Sequence, residues 1–333
     1  MAHRAILVIG PRWVGDMVMA QCLFKALKAA EPDVPIDVVA PAWATPLLDR
    51  MPEVRGRIEA PFRPKAFGLA ERWRLGRALA GRYDTAYVLP GSWKSALVPL
   101  FAGVARRIGY RKEMRYGLLN RMPALPKALK RKTADTYFRL AEIDGPRPDP
   151  ALTVDEANRT RLLAEHGLSA GGYVVFMPGA EFGPAKRWPS RHYAAVAWAR
   201  IAAGEKVVLL GSPKDAEVGA EISALAPGVI DLTGKTRLED AIDLISGARF
   251  AVCNDSGLMH VAAAVGTPLV AVYGSTSAEN TPPLSARAEI VSLRVECSPC
   301  HQKVCPKGHL DCLERLEPAL VEAAARRVTG GTP

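Results

Sequence analysis

The chain has 333 residues, 49% of them hydrophobic and 23% charged, with 44 Lys and Arg against 34 Asp and Glu for a net charge of +10. That length and apolar content suit two globular domains of ordinary size and exclude a disordered or low-complexity chain. No apolar run is long enough to span a bilayer, and the opening residues, MAHRAILVIGP, run straight into a strand pattern instead of a signal peptide, so a cytosolic protein is expected. The basic balance points to anionic partners: nucleic acid, phosphorylated small molecules or an acidic membrane surface.

Residues 5–10 (AILVIG) predict a strand, followed by the loop PRWVGD and a helix over 17–30 with Met17, Ala20, Phe24 and Leu27 on one face. Pro32 and Pro35 end that helix, and strands follow at 36–40 (IDVVA) and 85–89 (TAYVL). Strands alternating with helices predict a parallel sheet, with the loop after the first strand at the carboxyl edge where open α/β sheets bind ligands. Two runs rich in Arg and Lys, 61–77 (PFRPKAFGLAERWRLGR) and 106–115 (RRIGYRKEMR), read either as solvated faces or as parts of an anion-binding surface. The Pro-rich stretch GPRPDP at 145–150 reads as a linker closing a first domain, 1–150.

Beyond it the pattern restarts. A helix near 156–166 precedes strands at 173–177, 206–210, 229–232, 250–253 and 269–273. A helix over 190–203, with Tyr193, Val196, Ala197 and Ile201 at helical spacing, joins the first two strands. This predicts a second doubly wound α/β domain, 151–312. The remaining segment, 313–333, carries a helix at 313–328, and the sequence leaves open whether it folds back onto the first domain. Two such domains about a Pro-rich hinge predict a cleft between the carboxyl edges of their sheets.

The stretch ARFAVCNDSGLMHVAAAVGTP (248–268) reads as strand, tight loop, helix and the start of another strand. Asp255 or Ser256 is placed to cap the helix beginning near Leu258. A helix start past the end of a parallel strand offers free N–H groups and a positive dipole end, an anion site. Gly257 lets a ligand approach the backbone, and His260, one turn in, can donate to a phosphate oxygen. The alternative is an ordinary turn with a capping Asp and a surface His. In PGAEFGPAKRWP (178–189), Lys186 and Arg187 follow a flexible loop, and Lys186 suits a diphosphate as a point charge. In GSPKDAE (211–217), Asp215 or Glu217 can accept from ribose hydroxyls or simply cap a helix. Asp16, at a helix start, is either a cap or a general base for a sugar hydroxyl.

Four of the six cysteines, Cys297, Cys300, Cys305 and Cys312, fall in one short segment with His301 and His309. A cytosolic setting argues against disulfides. The donor types suit a tetrahedral zinc site, but the spacing fits no common finger, so a compact loop with buried thiols is the competing expectation. Walker, GxGxxG and GxSxG patterns are absent, which removes the main support for P-loop NTPases and dinucleotide dehydrogenases. No nucleic-acid module is recognisable, and no nucleic-acid partner is expected.

VIGPRWVGDMVMAQ, FMPGAEFGPAKRWP, NDSGLMHVAAAVGTPLVAVYGST and CSPCHQKVCPKGHLDCL, in that order along essentially the whole chain, resemble the lipopolysaccharide heptosyltransferases of glycosyltransferase family 9. The resemblance implies a GT-B fold: two Rossmann-like domains, the donor nucleotide on the C-terminal one and the acceptor on the N-terminal one. It implies inverting, metal-independent transfer of L-glycero-D-manno-heptose from ADP-heptose to heptosyl-Kdo2-lipid A. First-heptose transfer and a nucleotide-sugar epimerase on the same fold are the alternatives. It further implies a cytoplasmic enzyme working peripherally at the inner face of the cytoplasmic membrane, with no cofactor. By the same resemblance the base falls on Asp16 and the phosphate-binding Lys on Lys186. The phosphate loop falls on Asp255, Ser256, Gly257 and His260. The ribose carboxylate falls on Asp215, with Glu217 as alternate, and an adenine contact falls near Thr236. Trp13, Arg63, Lys65, Arg107 and Arg111 are the acceptor candidates. Lys186, the helix start and His260 would then supply the charge that stabilises a departing ADP.

Overall fold

Four consecutive apolar residues, ILVI, form β1 (Ile6–Ile9), buried along its whole length as a strand covered on both faces requires. The computed structural model describes residues 5–62 and 67–330 and divides into two units, Met1–Pro150 and Ala151–Pro333. In the first unit the chain continues through α1 (Val14–Ala30), β2 (Ile36–Ala40), α2 (Thr45–Leu48), β3 (Val54–Glu59), α3 (Leu69–Ala78), β4 (Thr85–Val88), α4 (Leu97–Phe101), β5 (Arg106–Ile108) and α5 (Thr133–Phe138). The strands form one sheet ordered β3-β2-β1-β4-β5, every neighbouring pair parallel.

The chain winds outward from β1 to β3, returns to β4 and then winds the other way. The reversal leaves a switch point between the carboxyl ends of β1 and β4, the place where such sheets bind ligands. α1 is buried well beyond one face, at eleven of its seventeen residues, because α5 packs on it as well. β3 and β5 carry no apolar run to announce them. Both lie at the margins of the sheet, VRGRIE with one strand partner and RRI with only the short 120–121 segment bonded beyond it, so charged residues take the place of an apolar run. The second basic run, 106–115, thus begins in a strand, and the first ends within α3.

The second unit runs α6 (Glu156–Glu165), β6 (Tyr173–Met177), α7 (Ser190–Ala202), β7 (Lys206–Leu209), α8 (Ala216–Leu225), β8 (Ile230–Asp231), α9 (Leu238–Ser246), β9 (Ala251–Asn254), α10 (Gly257–Ala264), β10 (Leu269–Val272), β11 (Ala288–Val291), α11 (Asp311–Glu314) and α12 (Pro318–Val328). Its sheet is ordered β11-β10-β9-β6-β7-β8, again all parallel. The reversal here lies between β6 and β9. Phe176, Trp188, Tyr193, Phe250 and Val252 build the core on one face of this sheet, joined by Leu313, Leu316 and Val321 from the C-terminal segment. The single helix expected over 313–328 is therefore two, broken at Glu317 because Pro318 starts a helix readily and continues one badly. α12 lies against β10, β11 and α7 within the second unit. Among the described residues no helix is long and apolar enough to cross a membrane.

Candidate functional site

The second unit gathers its candidates at the carboxyl edge of its sheet, around the β6/β9 switch. Lys186, in the loop after β6, donates to Asp255 Oδ2 at 2.6 Å. Both side chains are largely buried, with 13% and 5% exposure. Thr276, after β10, donates to the same carboxylate oxygen at 2.6 Å. Asp255 thus caps no helix. It fixes the Lys186 ammonium, which also lies 5.0 Å from the centre of the Phe182 ring.

The helix start itself is open. α10 begins at Gly257, one residue before the expected Leu258, and Ser256 occupies the cap position in extended conformation without a side-chain hydrogen bond. Neither Asp255 nor Ser256 fills the cap as the sequence led us to expect, so the first N–H groups of α10 keep their anion-attracting character. His260 is buried, not on the surface. Burial pushes its pKa down to about 4, and Lys186 pushes the same way against Asp255. The ring is neutral at pH 7: it can lend an N–H dipole to an anion, but not the charge anticipated for it.

Asn254, which the sequence reading passed over, ties this site together. Fully buried at the end of β9, it accepts from the Trp188 N–H at 3.0 Å and the Tyr193 hydroxyl at 3.2 Å, and donates to the Pro178 carbonyl at 2.7 Å. It thereby pins both ends of the loop that carries Lys186. Its signal was the Asn-Asp pair itself, since a polar residue closing an apolar strand has to be paired inside the fold. The Nε of Arg187 and the Oγ of Ser275 are buried nearby in sequence to these loops without a hydrogen-bond partner among the described residues.

Asp215 turns inward. Its Oδ2 accepts from the Ser212 N–H and hydroxyl at 2.9 and 2.7 Å, its Oδ1 stands 3.8 Å from Arg187, and Gly179 is Cβ-less where a Cβ would strike the carboxylate. Glu217, in the first turn of α8, is exposed, and Thr236, after β8, is half-buried. Gly234 N–H donates to the Gly211 carbonyl at 2.9 Å, so the loops carrying Asp215 and Thr236 are bonded side by side.

In the first unit Asp16 lies in the first turn of α1, just past the β1 loop, and Trp13 occupies the cap position of that helix, 57% exposed. Asp16 is near enough to Tyr137 of α5 that its charge adds to burial in raising the tyrosine's pKa. Arg107 is committed to structure: its guanidinium donates to the carbonyls of Leu118 and Val104 at 2.7 Å each and to Gly117 at 3.4 Å. Arg111 is exposed, 6.0 Å from the Tyr116 ring. Arg63 and Lys65 lie outside the described residues.

The four clustered thiols border one small pocket with His309 and Asp311. Burial pushes Cys312 up to about 11, with the neighbouring cysteines adding to it, while the Leu310 N–H leads a set of backbone amides that lower Cys305. The zinc reading is not supported: among the described residues no group of three or more His, Cys, Asp or Glu side chains is placed to hold a metal ion. The segment instead braces the Lys186 loop, since the Ala185 N–H donates to the Lys303 carbonyl at 3.1 Å.

The model of glycosyltransferase family 9 (heptosyltransferase) matches residues 72–311. The lipopolysaccharide heptosyltransferase 2 of Salmonella typhimurium is 48% identical over 305 residues, 86% of this chain and 88% of that one. The solved ADP-heptose LPS heptosyltransferase II of Escherichia coli superposes with a TM-score of 0.87 at 43% identity over 98% of both chains. The E. coli heptosyltransferase WaaC, solved with ADP, shares the fold at 21% identity, with a TM-score of 0.74 over 98% of this chain and 99% of that one. Two parallel α/β units, matched over 98% of the chain by these structures, define a GT-B glycosyltransferase. The chain belongs to glycosyltransferase family 9.

Proposed function

We propose that this glycosyltransferase moves L-glycero-D-manno-heptose from ADP-heptose to heptosyl-Kdo2-lipid A, with inversion, while associated peripherally with the inner face of the cytoplasmic membrane. The observation that carries the donor half is the Lys186 ammonium, held by Asp255 beside the uncapped start of α10 at the β6/β9 switch. A fixed cation and aligned N–H groups meet charge that grows as a diphosphate departs, without reorganising at that moment. Asp255 is then a positioning residue: its carboxylate is spent on Lys186 and Thr276, and a bare carboxylate would repel the phosphates. Ser256 and Gly257 offer backbone N–H groups, and His260 a neutral N–H. The 48% identity to a heptosyltransferase 2 supports the sugar and acceptor, and the ADP complex of WaaC supports the nucleotide.

Asp16 takes the proton from the attacking hydroxyl, whose pKa is too high for it to attack unaided. Asp215 braces the Gly179 and Ser212 loops beneath the nucleotide, which leaves exposed Glu217 as the better placed ribose carboxylate, with Thr236 near the base. With Lys186 answering the diphosphate, transfer proceeds without a divalent cation. The test is a pair of variants assayed for ADP affinity and for heptose transfer. Asp16→Ala keeps ADP affinity within about twofold and lowers transfer about a hundredfold or more. Lys186→Ala weakens ADP binding by about ten- to a hundredfold, the worth of a hydrogen bond to a charged group. Near-normal turnover in the first would remove Asp16 from the chemistry, and unchanged ADP affinity in the second would remove the clamp.

A further inference from the structure

The four clustered thiols have no part in the transfer proposed above, and their setting is a reactive one. Cys297, Cys300, Cys305 and Cys312 are all unbridged and border a single void of about 20 Å³. Burial first, and then the charges of Cys297, Cys300 and Cys305, push Cys312 up to about 11, which puts those three within electrostatic reach of it. The buried Ser275 hydroxyl, without a hydrogen-bond partner among the described residues, borders the same void.

Cys305 differs from the rest. It is half-buried, and the N–H groups of Leu310, Lys307, Gly308 and His309 serve its sulfur, Leu310 foremost, which favours the thiolate. The thiolate is the nucleophilic form, and exposure decides which thiolates meet a reagent. Cys22 and Cys253 are the opposite case, fully buried and pushed up by that burial.

The four residues between Cys300 and Cys305 are tied to the loops around Lys186. The Lys303 carbonyl accepts from the Ala185 N–H at 3.1 Å and lies against Gly183, where a Cβ would come within 2.5 Å of it. The His301 N–H donates to the Ser275 carbonyl at 2.7 Å, one residue before the Thr276 that shares Asp255 with Lys186. Whatever moves this stretch moves supports on both sides of the Lys186–Asp255 pair.

We propose that Cys305 is a site of oxidation by hydroperoxides, that it closes to a disulfide with another thiol of the pocket, and that this bond slackens the loop carrying Lys186. The Cys305 thiolate attacks an oxygen of the hydroperoxide. The O–O bond breaks, an S–O bond forms, and the leaving alkoxide or hydroxide takes a proton from water. The sulfenic acid, oxidised by two electrons, is then attacked by a second thiol, which forms the S–S bond and releases water. In a reducing compartment such a bond is transient, as a sensor requires. Drawing Cys305 across the void pulls Lys303 from Ala185. The consequence for ADP rests on the donor site proposed above, whereas the thiol chemistry stands apart from it.

The experiment treats the full chain, reduced and freed of reductant, with one equivalent of hydrogen peroxide, then unfolds it and counts the remaining thiols. Two of the six should disappear. Peptide mapping should find Cys305 bonded to Cys297, Cys300 or Cys312, with Cys22 and Cys253 unmodified. ADP affinity should fall about tenfold, the worth of one hydrogen bond to a charged group, and dithiothreitol should restore both thiols and affinity. Cys305→Ser and Cys305→Ala should bind ADP as the reduced native chain does, and keep that affinity after peroxide.

Thiol loss at the native rate in both Cys305 variants would overturn the proposal, and so would a disulfide that leaves Cys305 free or one that forms without changing ADP affinity. A metal ion held by these thiols in the isolated chain, shielding them from peroxide, would overturn it as well. Failure here leaves the ADP affinity of the reduced chain sensitive to Lys186→Ala. Failure of the donor-site reading removes that sensitivity and leaves the loss of two thiols in place.

Discussion

At the scale of single residues, what a side chain does follows from what its neighbours have already taken. Asp255 reads from sequence as a helix cap or a phosphate-loop acid; it caps no helix, and its carboxylate accepts from Lys186 and Thr276. Arg107 reads as an acceptor cation, and three backbone carbonyls occupy its guanidinium. His260 has a measurable consequence. The unfolded chain protonates this ring below its ordinary pKa of 6.5, the folded chain only below about 4. Stability is therefore lost as pH falls through that interval, by up to about 3 kcal/mol. His260→Gln should flatten the curve of unfolding free energy between pH 6.5 and 4. A slope unchanged from the native chain would place the acid sensitivity elsewhere.

At the scale of elements, the proposed donor site is a set of loops held by one buried amide. Asn254 joins the end of β9 to Pro178 and Trp188, the two ends of the loop that carries Lys186. Asn254→Ala leaves the Trp188 N–H and the Pro178 carbonyl buried without that partner, and should cost about 2–4 kcal/mol of stability in denaturant unfolding. ADP affinity should fall with it, because Lys186 is no longer held at the switch. Loss of stability with donor affinity intact would show that the loop keeps its shape without this pin. Elements announced by apolar runs were legible: β2, over 36–40, and β6, over 173–177, lie where the pattern put them. β3 and β5 were not, because strands at the margins of the sheet are partly exposed and carry Arg where a central strand carries an apolar run.

At the scale of the whole molecule, chemistry and charge are divided between the units. The second is nearly neutral and holds the diphosphate candidates, while the first holds Asp16 and the positive excess. ADP at about a hundredfold over its dissociation constant should add about 2.7 kcal/mol to the stability of whatever it binds. In hydrogen exchange the added protection should concentrate at 178–189 and 254–264. Protection centred on 10–16 instead would move the nucleotide to the other unit.

The sequence by itself determined the class of fold and where its apolar strands lie. Buried parallel strands demand apolar runs, turns demand Asn, Asp, Ser and Gly, and both leave marks in the order of residues. Only the tertiary structure decided which polar group serves which partner. Nothing in the string records that Asp255 faces Lys186 across 69 positions, that Asn254 reaches Pro178, or that His260 is sealed from water. Those facts follow from strand order, which brings distant residues together and sets how much water remains around each.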